Sequence, residues 1–148
     1  METRQITTLE ELGDIAKEVL STCSQKEHAQ VITLQGDLGA GKTALTKEFA
    51  KLLGITHEIT SPTFVIMKSY EIPAHPFLKS LIHIDAYRIE SDDEMRVLGF
   101  EEILSDPTNL VCIEWPEKIK NLIPKDAYTV SLTLNLEETR TITYGKSN

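Results

Sequence analysis

The chain has 148 residues, 41% of them hydrophobic and 26% charged, the composition of an ordinary globule long enough to bury its own core. The 23 acidic and 15 basic residues give a net charge of −8, and the lysines and arginines stand singly among carboxylates, which disfavours tight direct binding of nucleic acid. No apolar run approaches the ~20 residues of a membrane-spanning helix, and the N-terminus lacks the basic start and apolar stretch of a secretory signal. A single cytoplasmic domain over residues 1–148 is expected, with no membrane partner.

Thr8-Leu9-Glu10-Glu11 reads as a capping box that opens an amphipathic helix on Leu9, Leu12, Ile15, Ala16, Val19 and Leu20. Val31-Ile32-Thr33-Leu34 is a buried, β-branched strand. It runs into Gly36-Asp37-Leu38-Gly39-Ala40-Gly41-Lys42-Thr43, a phosphate-binding loop of the form G-x-x-x-x-G-K-[ST]. A helix follows, with apolar residues at 45, 49, 52 and 53 and Gly54 as its stop. Strand, loop and helix stand in the order that the loop's chemistry needs. Curled glycine backbone turns N–H groups inward, the helix adds the positive end of its dipole, Lys42 reaches the β- and γ-phosphates, and the Thr43 hydroxyl can ligand Mg²⁺. The chain is therefore expected to bind a nucleoside triphosphate.

A polar link from Thr56 to Pro62 leads to a strand expected at Thr63–Tyr70, then a loop over 71–79 with Pro73 and Pro76. Leu81–Asp85 is a second apolar strand. Ser91-Asp92-Asp93-Glu94 is another capping box, and the helix it opens should break at Gly99. Leu110–Glu114 is a third apolar strand, and Pro116–Ile123 a short helix stopped by Pro124. Tyr128, Val130, Leu132, Leu134 and Leu136 alternate with polar residues, and Thr139–Tyr144 returns as an antiparallel hairpin. The expected class is α/β: a three-layer fold like that of P-loop NTPases, with a mainly parallel sheet and an antiparallel C-terminal hairpin.

A phosphate loop binds; hydrolysis also needs an acidic group to hold Mg²⁺ or place water. Asp85 and Glu114 each close an apolar strand, where ligands of open parallel sheets sit, and spacing does not decide which is nearer the metal. His83 shares a strand face with Asp85 and reads as support for it or for the sheet, not as a metal ligand. In Ser61-Pro62-Thr63-Phe64, the Thr63 hydroxyl can sense a γ-phosphate or its metal. Arg88 offers a cation to the phosphates, to a partner, or to an ordinary surface ion pair. Trp115 is either core packing or an aromatic platform. Cys23 and Cys112 have no partner at metal-ligand spacing, and Cys112 reads as a small buried hydrophobe.

Together the phosphate loop, Ser61-Pro62-Thr63-Phe64, His83-Ile84-Asp85-Ala86-Tyr87-Arg88 and Glu114-Trp115-Pro116 make the chain similar to the TsaE family (YjeE/YdiB) over nearly its whole length. These are bacterial ATPases of tRNA threonylcarbamoyladenosine (t6A) formation. The resemblance implies ATP and Mg²⁺ as ligands, with Lys42, Asp85 and Glu114 as the catalytic set and Thr43 and Glu114 holding the metal. It implies nucleotide contacts from Gly36, Asp37, Leu38, Gly39, Ala40, Gly41, Lys42, Thr43 and Ala44, and from Thr63, Asp85, Arg88 and Glu114. The adenine would lie toward Ile6, Thr7 and Thr8. The partners implied are TsaD and TsaB, with tRNA reached through them, and ATP hydrolysis supporting turnover of that complex. The rival enzyme reading is a small-molecule kinase on the same loop, for which the chain offers few lid arginines. A GTP-operated switch would want an Asn-Lys-x-Asp segment, and the sequence has none.

Overall fold

The computed structural model describes residues 1–37, 39–62 and 65–146. Its elements run β1 (Glu2–Ile6), α1 (Leu9–Leu20), β2 (Gln30–Gln35), α2 (Lys42–Leu52), β3 (Met67–Glu71), β4 (Ser80–Asp85), α3 (Asp92–Val97), α4 (Phe100–Ser105), β5 (Asn109–Glu114), β6 (Tyr128–Leu134) and β7 (Arg140–Lys146). A 3₁₀ segment, Pro116–Leu122, kinks at Ile119. The seven strands form one sheet in the order β1-β7-β6-β2-β5-β4-β3. The four central strands β6, β2, β5 and β4 are mutually parallel. β6–β7 is the expected antiparallel hairpin, and β1 and β3 pair antiparallel at the two edges.

Two apolar layers lie against the sheet. On one face α1 (Leu12, Ile15, Ala16, Val19) and α2 (Leu45, Phe49, Ala50) cover Ile32, Leu34, Leu81, Leu110 and Cys112. On the other, Met95 of α3, Phe100 of α4 and Ile119 cover Val31, Ile82, Ile84, Val111 and Ile113. The alternation of neighbouring strand residues between the two layers is the period-2 geometry of strands buried on both faces. Phe49 and Phe100 are wholly buried, and burying such a side chain contributes about 1.5–3 kcal/mol.

The Ser91–Glu94 capping box forms at α3. At α1 the Thr8 hydroxyl oxygen accepts from Glu11 N–H at 3.2 Å, while the Glu11 carboxylate accepts from the backbone N–H of Thr7, one residue earlier than the box expects, at 3.2 Å. The break between α3 and α4 falls at Gly99, whose φ of 81° suits glycine. Two segments differ from expectation. Residues 2–6 form a strand although four of them are exposed polar side chains, because β7 offers an open edge for them to pair with. The strand expected from residue 63 begins at Met67, after Ile66 takes a left-handed turn with φ 67°.

Candidate functional site

Leu34 of β2 and Asp85 of β4 both lie in register with Glu114 of β5. Leu81, His83 and Asp85 share one face of β4, as Leu110, Cys112 and Glu114 share one face of β5. Leu81, Leu110 and Cys112 are in the layer under α1 and α2. The two carboxylates therefore emerge at the carboxyl ends of their strands on the face where α2 begins.

The glycine-rich segment joins β2 to α2. A Cβ on Gly36 would meet the Leu132 carbonyl oxygen at 2.6 Å, so only glycine fits there. Gly41, with φ 109°, sets the entry into α2. Ala40 N–H donates to the Asp37 carbonyl at 3.1 Å and Leu45 N–H to that of Gly41 at 3.0 Å. Helix α2 has neither a capping side chain nor an acidic residue in its first turn, whereas α1 and α3 have both. Its first amides are thus left to an anionic ligand.

Lys42 is buried at this helix start and donates to the Gly36 carbonyl oxygen. Its ammonium sits 3.8 Å from the centroid of the Trp115 ring, a cation–π contact. Burial holds its pKa below the ordinary lysine value, opposed by the carboxylates of Glu114, Asp85, Glu117 and Asp37. Trp115 reaches the lysine because its own backbone is left-handed, φ 59° and ψ 50°, an uncommon conformation for a bulky side chain. Its ring also packs on Tyr87, centroids 4.9 Å apart.

The Thr43 hydroxyl donates to Glu114 Oε2 at 3.1 Å. His83 Nε2 lies 2.6 Å from the same oxygen, with both His83 and Glu114 buried. His83 thus supports Glu114 on the neighbouring strand. With Nε2 carrying the proton toward the carboxylate, Nδ1 is left as an acceptor without a hydrogen-bond partner. Asp85 Oδ1 accepts from Tyr87 N–H at 3.0 Å, which fixes its carboxyl at the mouth of the site.

A cavity of ≈ 240 Å³ brings Gly39, Gly41, Lys42, Thr43, Ala44, Asp85 and Glu114 together, with Ser61 and Trp115 on its wall. Gly36, Asp37 and Ala40 form the body of the loop beneath it. Leu38 and Thr63 lie outside the described residues. Thr8 and Arg88 are exposed and do not line the cavity, and Thr8 acts as the cap of α1. A larger concavity of ≈ 690 Å³ beside the 3₁₀ segment has no glycine-rich backbone in its wall.

The donor set suits a hard cation. Hydroxyl and carboxylate oxygens of Thr43 and Glu114 sit side by side with Asp85 adjacent, the ligand type that Mg²⁺ takes. No group of three His, Cys, Asp or Glu able to hold a metal occurs among the described residues. A cation here would take its remaining ligands from water and phosphate.

The family model described as threonylcarbamoyl adenosine biosynthesis protein TsaE matches residues 6–142. The chain is 38% identical over 135 residues to the tRNA threonylcarbamoyladenosine biosynthesis protein TsaE of Bacillus subtilis, covering 91% of this chain and 79% of that one. It is 38% identical over 126 residues to the protein of the same name from Rickettsia bellii, covering 84% and 81%. The crystal structure of Bacillus subtilis YdiB superposes with a TM-score of 0.76 at 28% identity, over 99% of this chain and 86% of that one. The loop, the two strand-end carboxylates and these matches agree, and the chain belongs to the TsaE family.

Proposed function

We propose that this chain is a Mg²⁺-dependent ATPase of tRNA threonylcarbamoyladenosine formation that works with TsaD and TsaB and meets tRNA through them. The observation that carries the reading is the convergence of Lys42, Thr43, Asp85 and Glu114 on the uncapped start of α2. The α2 amides and Lys42 bind the β- and γ-phosphates, and Lys42 leaves the Trp115 face to do so. Thr43 and Glu114 hold Mg²⁺, which when bound neutralises charge on the phosphate oxygens. Asp85, fixed by the Tyr87 amide, accepts a hydrogen bond from the attacking water and orients it beside the γ-phosphate. Among the described residues no arginine lines the cavity, so charge developing at the γ end has no guanidinium to meet it. That fits slow hydrolysis by the chain alone and acceleration in the complex. The net charge of −8 fits contact with tRNA through partners.

The test is a calorimetric titration of wild type and Lys42→Ala with Mg-ATP, with ATPase rates measured with and without the TsaD–TsaB pair. The wild-type chain should bind Mg-ATP, Lys42→Ala should lose binding by about 100-fold or more, and the pair should stimulate hydrolysis. Wild-type ATP affinity in Lys42→Ala would refute the site, and unstimulated turnover would refute the partnership.

A further inference from the structure

Two donors share one oxygen of Glu114, and they are not equivalent. Oε2 accepts from the Thr43 hydroxyl at 3.1 Å and from His83 Nε2 at 2.6 Å. Among the described residues no third side chain hydrogen-bonds this carboxylate. Thr43 is half-buried on the cavity wall, and its hydroxyl turns about a single bond. His83 is wholly buried. It stands mid-strand in β4, in register with Lys68 of β3 on one side and Cys112 of β5 on the other. Close packing leaves its ring no room to swing. One donor can turn away and the other is fixed.

The fixed donor is also a neutral one. Nε2 faces a carboxylate, which only accepts, so Nε2 carries the proton. Nδ1 is covered from solvent and has no hydrogen-bond partner, and a second proton there would add a buried donor with nothing to bond. The imidazole therefore orients Glu114 without cancelling its charge, which a lysine or arginine in its place would do. A hydroxyl has one proton, and that of Thr43 lies between its own oxygen and Glu114 Oε2. Thr43 and Glu114 can turn lone pairs on a common cation only after that proton has rotated out from between them. Glu114 then loses one of its two donors just where Mg²⁺ demands near-ideal octahedral geometry. His83 is the donor that stays.

We propose that His83 is the positioning residue of the metal site: its Nε2–H holds the Glu114 carboxylate after Thr43 gives up its bond, and so strengthens the coupling between metal and nucleotide. This rests on the reading that Thr43 and Glu114 hold Mg²⁺. Wild type, His83→Leu and His83→Gln are titrated by calorimetry with ATP, once in excess Mg²⁺ and once in EDTA. The ratio of the two affinities reads the coupling, and the binding of Mg²⁺ by free ATP cancels between variants. His83→Leu should lower that ratio by about tenfold while the affinity in EDTA changes by less than about twofold. His83→Gln brings an amide N–H to the place of Nε2 and should restore the ratio to within about threefold of wild type. A loss that falls equally on both titrations overturns the proposal, because His83 then serves packing alone, and so does an unchanged ratio in the folded leucine variant. If that variant does not fold, the imidazole ¹⁵N spectrum of the wild-type chain decides. The proton should be on Nε2 both in the free chain and with Mg-ATP bound, and an Nε2 without its proton in the loaded chain overturns the proposal. A wild-type chain whose nucleotide affinity ignores Mg²⁺ removes the metal itself and this role with it.

Discussion

The two flanks of β2 handle charge in opposite ways. On the β5–β4 flank, Lys42, His83, Asp85 and Glu114 are all buried, and each is held by a neighbour or by backbone. On the β6–β7–β1 flank the polar contacts lie nearer the surface. Tyr144 Oη is 2.6 Å from Glu2 Oε2 and 2.9 Å from Glu18 Oε2, and Arg4 reaches Glu18 at 3.0 Å. Burying charge is costly unless its partners are excellent, so stability alone gives little reason to collect three charged groups and a polar imidazole at one strand rim. The second network does a different job, tying the terminal strand and α1 to β7. Desolvated charge marks the site in this molecule, and solvated charge marks an attachment.

The largest expected effect comes from separating Glu114's charge from its hydrogen bonding. Glu114→Ala leaves buried His83 Nε2 and the Thr43 hydroxyl without their acceptor, a cost of about 1–3 kcal/mol per orphaned group. ATP hydrolysis with the partner pair present should fall by about 100-fold or more. Glu114→Gln keeps an acceptor oxygen for both groups, so urea unfolding should show most of the stability restored while hydrolysis stays lost. A glutamine variant that hydrolyses ATP at the wild-type rate would dissolve the distinction between the flanks.

What the sequence reveals follows the same division. The phosphate loop is contiguous, and Asp85 and Glu114 each end an apolar strand, so both are legible from local pattern. Their supports are not, because they depend on which strands become neighbours. His83 reads as support for Asp85, two residues away on the same face, or for the sheet, and only the strand order shows its partner to be Glu114 on the neighbouring strand, 31 residues distant. Trp115 stays ambiguous until its left-handed backbone is seen to turn the ring onto Lys42. β1 is invisible for a related reason. Glu2, Thr3, Arg4 and Gln5 have no alternation, and only the open edge of β7 makes a strand of them.

A smaller effect tests the attachment. Tyr144→Phe removes the hydroxyl shared by Glu2 and Glu18 and leaves the ring in place over the Arg4 side of the sheet. It should cost about 1 kcal/mol, a drop of about 3 °C in the thermal midpoint for a chain of this size. Affinity for Mg-ATP should not change. A loss of nucleotide affinity comparable to that of a site variant would make this network part of the site, and the contrast would fail.

The smallest effect is one of sign, read from stability between pH 8 and 11. Burial lowers the Lys42 pKa below its ordinary 10.5. Between the folded value and 10.5 the unfolded chain binds more protons than the folded one, so this lysine's contribution to stability improves as pH rises through that window. Tyr144 runs the other way. Burial, with the carboxylates of Glu2 and Glu18, raises its pKa above the ordinary 10.0. Its hydroxyl network is then fully present below pH 10 and weakens as pH climbs toward the folded value. Subtracting each variant's profile from the wild-type profile isolates one group from the other titrating lysines and tyrosines. The Lys42→Met difference should favour wild type increasingly with pH, and the Tyr144→Phe difference should favour it decreasingly. A flat Lys42 difference would mean that the lysine is hydrated enough to behave as surface charge, and one that falls with pH, as for Tyr144, that its carboxylate neighbours outweigh its burial; in either case it would not be poised to exchange the Trp115 ring for phosphate oxygens.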